Sequence, residues 1–517
     1  MDNTPRPRAG RREWIALGVL MLPLLLVSMD ISVLYFAIPY VSQDLAPSAT
    51  QQLWILDVYG FVLAGLLITM GALGDRIGRR TLVLAGALVF GAASAAAAYA
   101  HSAEMLIAVR ALLGLGGAAL MPSTLALIRN LFHEPDQRAK AVTLWTTVMT
   151  AGISLGPVVS GLLLEHYWWG SVFVVNLPAM ALLLLLVPFL VPESTVRHRE
   201  PFDAAGALLS LGAVLLVVLG VKEWARHGYE SGPALAVVGG LLLGAVFVRR
   251  QRRVAHPVID LDLIRRRAFG GPVVANLLAM FATVGMAVFF TQYLQSVLGH
   301  SPLNAALWSL VPAAGVAVTA PAAAALARRL DRAYVMGGGF LVSACGFLWL
   351  TQVRADSALW FGLAAASLYA GGLVAAMTLA NELALGAAPP ERAGSAAAVL
   401  ESGQELGGAL GMAVLGSVGA AVYGRGMADA LPAGVPADAV DAARETLGGA
   451  TALASVLPAD AAGPLLRAAR EAFTHGMNVA AAGAALTMVA AAAFAASRLR
   501  GTRPAHTPPA ADLAGRP

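Results

Sequence analysis

Gly71-Ala72-Leu73-Gly74-Asp75-Arg76-Ile77-Gly78-Arg79-Arg80 closes one apolar run, Gln52–Leu73, and leads into another, Thr81–Ala100. Four charged side chains crowd a short glycine-bearing turn, and each flanking run is about the 20 residues a helix needs to cross a hydrocarbon core. The same alternation recurs along the whole chain. Of 517 residues 58 % are apolar and 13 % charged, with a mean hydropathy of +0.71. That is about half the charge of a soluble domain, for which roughly a quarter is usual. The reading is an all-α polytopic membrane protein. A soluble enzyme, a secreted disulfide scaffold and a nucleic-acid binder are excluded. The pI of 9.5 reflects arginines in interhelical turns, and the lone Cys345 allows no intrachain disulfide. The first run, Trp14–Tyr40, is too long for a signal-peptide core and has no small-residue cleavage site, so it counts as a span.

Fourteen spans are predicted: Trp14–Tyr40, Gln52–Leu73, Thr81–Ala100, Met105–Ile128, Ala141–Leu164, Ser171–Val191, Ala204–Val221, Pro233–Val248, Pro272–Gln295, Leu303–Leu326, Tyr334–Val353, Leu359–Leu385, Ser395–Tyr423 and Met477–Ala496. Of the 35 Lys and Arg, 27 fall on the side of the N-terminus and seven on the other, with Arg110 inside a span. The positive-inside bias then makes both ends cytoplasmic. The basic loop 249–271 reads as a headgroup-facing segment. The long outer loop, 424–474, reads as a solvated connector, with a cap over the outer mouth as the alternative; Ala437–Leu447 and Ala461–Phe473 suit short amphipathic helices.

The chain also looks duplicated. Arg328-Arg329-Leu330-Asp331-Arg332 follows the tenth span as the opening turn follows the second. Counting six helices back from the C-terminus puts both turns at one place in each half, giving 6 + 2 + 6. The expected organisation is a tail (1–13), a six-helix bundle (14–191), a two-helix insertion with the basic loop (192–271), a second bundle (272–496) and a tail (497–517). Paired six-helix repeats around a central cavity are a transporter architecture.

Charges inside a bilayer are costly and ask for a use. Asp30 lies about 14 Å below the outer end of the first helix, with Arg110 and Asp57 at nearby depths. Asp30 is either a structural ion-pair member or a titrating site, with Arg110 as counter-charge. A buried carboxylate beside a guanidinium gives up its proton, and parted from it takes one up, which is what proton coupling requires. Asp57 either lines the outer vestibule or caps its helix. In Glu401-Ser402-Gly403-Gln404-Glu405-Leu406-Gly407-Gly408-Ala409-Leu410-Gly411, both glutamates share one helical face. Gly403, Gly407 and Gly411 form a stripe roughly 140° around the helix, where a neighbour can approach closely. The carboxylates are thereby turned toward a central cavity, as transport sites or as buried structural hydrogen bonds. Gly152-x-x-x-Gly156-Pro157 allows close packing and a bend. Asn381 and Glu382, a turn from the inner end of their helix, are expected to reach water, and Trp168, Trp169, Trp360 and Tyr40 fit an interfacial belt. No zinc-type His pair or phosphate loop is present, and Gly152-Ile153-Ser154-Leu155-Gly156 lies in an apolar span where a nucleophile elbow has no strand. Catalytic and metal sites are therefore expected to be absent, and an ion gradient to supply the energy.

These residues resemble the major facilitator superfamily, specifically its fourteen-helix drug:proton antiporters. Gly71 to Arg80 resembles the signature between helices two and three, which implies a cytoplasmic latch made by Asp75 and Arg79. Leu106-x-x-x-Arg110-x-x-x-Gly114 is similar to the helix-four proton-coupling motif, with Leu113 where Gln is common. Gly156-Pro157 resembles the antiporter motif, with Ser160 for a usual Gly, and implies export. The stretches Met29 to Pro39, Gln51 to Tyr59 and Glu401 to Gly411 are most similar to exporters of quaternary ammonium ions and cationic dyes. Some relatives carry an acid in helix ten; Leu303–Leu326 has none. The resemblance implies a proton-coupled exporter of lipophilic cationic drugs in the cytoplasmic membrane. Asp30 and Arg110 would couple protons there, while Glu405, Glu401 and Asp57 would line the cavity. Its partners would be small lipophilic cations, protons and membrane lipids, with a monomer favoured, no cofactor and no nucleic acid. A dedicated exporter of one endogenous metabolite or antibiotic, or a non-transporting membrane enzyme or sensor, are the alternatives.

Overall fold

The computed structural model describes residues 9–193, 204–227, 231–254, 261–387, 393–428 and 437–501. Helices α1 (Arg11–Leu45), α2 (Ala49–Ile77), α3 (Arg79–Ala98), α4 (Ala103–Leu131), α5 (Pro135–His166) and α6 (Ser171–Leu190) come first. Helices α7 (Ala204–His227) and α8 (Ser231–Gln251) follow. Next are α9 (Arg267–Val297), α10 (Pro302–Trp308 continued by Leu310–Leu326), α11 (Arg332–Leu350), α12 (Leu359–Ala387) and α13 (Ala393–Met427). Two short helices, α14 (Ala437–Glu445) and α15 (Leu447–Val456), precede the 40-residue α16 (Ala459–Arg498).

Among the described residues eleven helices are long and apolar enough to cross a membrane, and twelve once the two bent parts of α5 are counted together. α7 adds a shorter apolar stretch, Leu208–Gly220, and α10 is broken into pieces of 7 and 17 residues. Proline explains both interruptions. It has no N–H to give the carbonyl four residues back. Pro312 thus deprives Trp308 at the break in α10, and Pro157 deprives Ile153 where α5 bends by 42°.

α1 packs on α5 and α6, and α4 packs on α2 and α3. α13 is sandwiched between α9 and α16 and also lies along α2, while α12 packs on α10 and α11. α7 pairs with α8 and lies over the seam between α2 and α13, where Phe61, Val218, Ala409 and Ala413 are buried together. The first and last described residues lie on one face, called here the terminal face. There the Ala9 amide donates to Gln137 Oε1 (2.8 Å), Arg12 donates to the Phe189 carbonyl, and the Gly501 amide donates to Asp331 Oδ2 (3.0 Å).

The far face differs from the expected connector. α14 and α15 lie across it and tie the two halves of the chain together. Glu445 Oε2 accepts the Ala49 amide at the start of α2 (2.9 Å), Tyr423 Oη donates to the Ala443 carbonyl (2.9 Å), and Gly448 lies against Ser42 of α1. The segment is a cap. The stretch expected as a separate helix, Ala461–Phe473, is instead the first part of α16, because its Ala-rich sequence offers no breaker after Pro464. Trp169 also departs from the aromatic belt: it is buried and donates to Asp44 Oδ2 at 2.6 Å.

Candidate functional site

A cavity of about 550 Å³ lies at the centre, walled by α1, α2, α4 and α5 on one side and α9, α10, α12 and α13 on the other. Much of its wall is apolar, with Phe36, Met121, Met149, Met280 and Phe290 among the lining residues. Its size suits a drug-sized molecule. Tyr35, Asp57, Asn381, Glu401, Gln404 and Glu405 supply polar groups, and the lining runs to Leu385 and Leu400 near the terminal face. On the far-face side the halves are in contact, with Leu53 of α2 against Gly416 of α13 and Leu303 of α10 against Gly161 of α5. The cavity is closed beneath the cap and extends toward the terminal face.

Asp30 and Arg110 form a buried ion pair, 5 % and 1 % exposed. Arg110 lines the cavity and Asp30 sits behind it. The guanidinium is held from three sides: NH1 donates to Asp30, Nε donates to the Ile55 carbonyl (3.0 Å), and its carbon lies 4.7 Å from the centre of the Tyr59 ring. Tyr59 is fixed in turn by its hydroxyl, which donates to the Val27 carbonyl at 3.1 Å. Gly114, one turn after Arg110, leaves room for the Tyr59 backbone; a Cβ there would sit 2.6 Å from the Tyr59 carbonyl oxygen. Leu113, found where the resemblance leads one to expect Gln, is fully buried, and Tyr59 covers the arginine.

α5 reaches α1 through its small residues. Gly152 lies against Leu25 and Ser28, and Gly156 against Met29 and Ser32. The Ile153 carbonyl that Pro157 leaves without a helix donor accepts the Ser32 hydroxyl at 3.1 Å. Ser160 donates to the Val33 carbonyl at 2.9 Å, a bond that glycine could not make. Within hydrocarbon such repairs are what make a proline bend tolerable.

On the opposite wall the glycine stripe of α13 meets α9. Gly403 faces Val273, Gly407 the Leu277 backbone and Gly411 the Phe281 backbone, each step of four matched by a step of four on α9. Glu401 and Glu405 line the cavity, and Glu405 Oε2 comes within 3.9 Å of where a Cβ on Gly60 of α2 would stand. Asp57, two turns into α2, is buried and lines the same space.

The signature turn lies away from the cavity, on the terminal face. Gly78 has φ +102°, a conformation side chains rarely adopt. After it the amides of Arg80 and Thr81 at the start of α3 donate to Glu193 (3.1 Å each), as does the Thr81 hydroxyl (2.7 Å). Arg80 also donates to the carbonyls of Pro188 and Val191. Arg79 lies over Gly74. The Asp75 side chain falls outside the described residues.

Two features of the site were not legible in the sequence: the amide cluster around Asn381 and the cover that Tyr59 gives Arg110. Asn381, expected to reach water, lines the cavity and is bonded to Gln404 and Asn276, whereas Glu382 lies 3.8 Å from Arg332 and is half exposed. Tyr59 was visible only as part of a motif. Among the described residues no three His, Cys, Asp or Glu side chains are placed to hold a metal ion.

Residues 20–412 match the Major Facilitator Superfamily. The chain is 43 % identical to the multidrug efflux pump LfrA of Mycolicibacterium smegmatis, over 95 % of this chain and 98 % of that protein. It is 35 % identical to the methyl viologen resistance protein SmvA of Salmonella typhimurium, over 93 % and 97 %. Among solved structures it is similar in fold to a bacterial homologue of the human lysosomal transporter Spinster in an inward-facing, unoccupied conformation. That likeness has a TM-score of 0.65 and 17 % identity, covering 94 % of this chain and 96 % of that one.

Proposed function

The chain belongs to the Major Facilitator Superfamily, and on that premise we propose that it is a proton-coupled antiporter that exports lipophilic cationic drugs. It is a multi-pass protein of the cytoplasmic membrane. The observation that carries the reading is the placement of Asp57, Glu401 and Glu405 in one largely apolar cavity, beside an arginine that Asp30 already neutralises. A lipophilic cation gains apolar contact on entering and loses hydration, and an ionised carboxylate in low dielectric offsets that loss. Protonation of the same carboxylate removes the attraction, so proton and cation compete. Names given to LfrA and SmvA, efflux of several drugs and resistance to the dication methyl viologen, support this substrate class.

The proposed topology is fourteen crossings arranged 6 + 2 + 6 with the terminal face in the cytoplasm. The packing of α7 on both α2 and α13 supports an insertion between two bundles, 14–191 and 272–496. In this reading Asp30 and Arg110 couple protons, Gly152, Gly156 and Pro157 set the α5–α1 contact, and Asp75 and Arg79 latch the cytoplasmic side. The cavity is complete within one chain, which favours a working monomer.

The test is efflux of a cationic dye from everted vesicles. Transport should stop when the pH gradient is collapsed, and should be abolished in Asp30→Asn, which cannot change charge. An Asn variant that still concentrates dye against a gradient would rule out the coupling role.

A further inference from the structure

Three carboxamides from three helices meet on the terminal-face side of the cavity. Asn276 of α9 donates through Nδ2 to Asn381 Oδ1 of α12 (2.8 Å), and Gln404 Nε2 of α13 donates to the same oxygen (3.3 Å). An amide oxygen has two lone pairs, so these two donors use up the acceptor capacity of Asn381 and leave its NH₂ group as the functional end. Asn276 is wholly buried behind the cavity wall, while Asn381, Gln404 and Glu401 line the cavity itself. The Asn276 Oδ1 atom is buried without a hydrogen-bond partner. Turning that amide over would set two oxygens face to face, so the unpaired oxygen is the cost of holding Asn381 in one orientation. Apolar or fully paired residues would join three helices without that cost.

The geometry points to a neutral hydrogen-bonding subsite at Asn381 and Gln404, which takes a carbonyl or amide group of a substrate whose cationic nitrogen is held by the carboxylates. Asn381 Nδ2 donates to the substrate oxygen, and Gln404 Oε1 accepts from a substrate N–H. Glu401, on the same helix as Gln404, keeps the cationic end within reach. This inference rests on the export reading and narrows it. Permanent cations without hydrogen-bonding groups use the carboxylates alone, and amide-bearing amines use both regions.

The experiment compares equilibrium binding of two probes to the purified protein in lipid nanodiscs. Tetraphenylphosphonium is a permanent cation with no hydrogen-bonding group; procainamide is an aryl amide with a protonated tertiary amine. Asn381→Leu should weaken procainamide about tenfold and leave tetraphenylphosphonium within about twofold, the scale of one neutral hydrogen bond. Asn276→Leu, which frees Asn381 to turn without touching the cavity, should weaken procainamide about threefold with the same selectivity. Asn381→Ser, small and polar, carries the comparison where the leucine variant does not fold. Equal losses of both probes in these variants, or no loss of either, would overturn the subsite and leave the amides as a helix joint. If the unaltered protein binds neither cation, the export reading fails and overturns the subsite that rests on it, an outcome distinct from a change confined to the variants.

Discussion

Apart from Asp57, which lines the cavity from α2, the two walls of the cavity handle charged groups in opposite ways. On the α1–α2–α4 wall, Asp30 and Arg110 are almost fully buried and the guanidinium is bonded to a carboxylate, a carbonyl and an aromatic face. On the α9–α12–α13 wall, Glu401, Gln404, Glu405 and Asn381 face the open cavity. A closed pair exchanges one partner for another only when the structure moves. An open carboxylate exchanges a proton for a cation where it stands. In the proposed mechanism the contrast gives the two tasks of an antiporter to separate walls, one responding to conformation and the other to what occupies the cavity.

The largest expected effect breaks the closed side. Arg110→Met leaves the Asp30 carboxylate buried without its partner and should cost about 3–5 kcal/mol of stability, read as a lowered Tm in detergent. Adding Asp30→Asn should restore most of that stability without restoring transport. A normal Tm in Arg110→Met alone would show that the pair is not closed.

Next comes the support of the open side. Gly407→Val pushes α13 off the Leu277 backbone of α9 and should cost about 1–3 kcal/mol, the range for overpacking. Cation binding should fall with it, because Glu401 and Glu405 shift; unchanged binding would show that the stripe does not position them.

Glu405→Gln tests the open wall directly. Ionised carboxylates attract cations and protonated ones do not, so cation affinity of the unaltered protein should rise with pH. The variant should bind cations about tenfold more weakly at high pH, and its affinity should lose much of its pH dependence, with Glu401 and Asp57 supplying what remains. Neutral compounds should bind as before; equal losses for neutral and cationic compounds would make Glu405 a structural hydrogen-bonding residue. The smallest effect belongs to Glu401→Gln, about threefold in the same assay, because Glu401 lies nearer the terminal face and water. A larger loss there than at 405 would move the cation site toward that face.

Much of this was legible because helices are periodic. The 100° step alone sets Glu401 and Glu405 on one face and the three glycines on another, and runs of about 20 apolar residues mark the helices. What stayed hidden depends on how helices tilt against each other. Asn381 is near the end of a helix, and counting residues places it in water; the inward extension of the cavity places it in the wall. Trp169 has the composition of a belt residue, yet Asp44, distant in sequence, turns it inward. The cap stood in the sequence only as the alternative to a connector, although Ala437–Leu447 was legible as a short helix, because its partners, Ala49 and Ser42, lie some 400 residues away in the chain. The role of Ser32 in completing the Ile153 carbonyl likewise joins residues 121 apart.

The contact between α9 and α13 has a mechanical consequence. With backbone against backbone at Gly407 and Gly411, and Gly285 of α9 in turn against the Gly411 carbonyl, no layer of flexible side chains separates the two helices. They behave as one stiff bar. In the proposed mechanism, when a proton or a bound cation neutralises Glu405, α13 is not free to relieve the imbalance by rolling on its own axis. The load passes instead to the next joint, where Glu405 approaches Gly60 on α2. That joint lies between the halves of the molecule. In that mechanism, glycines that touch neither proton nor drug direct local chemistry into movement of one half against the other.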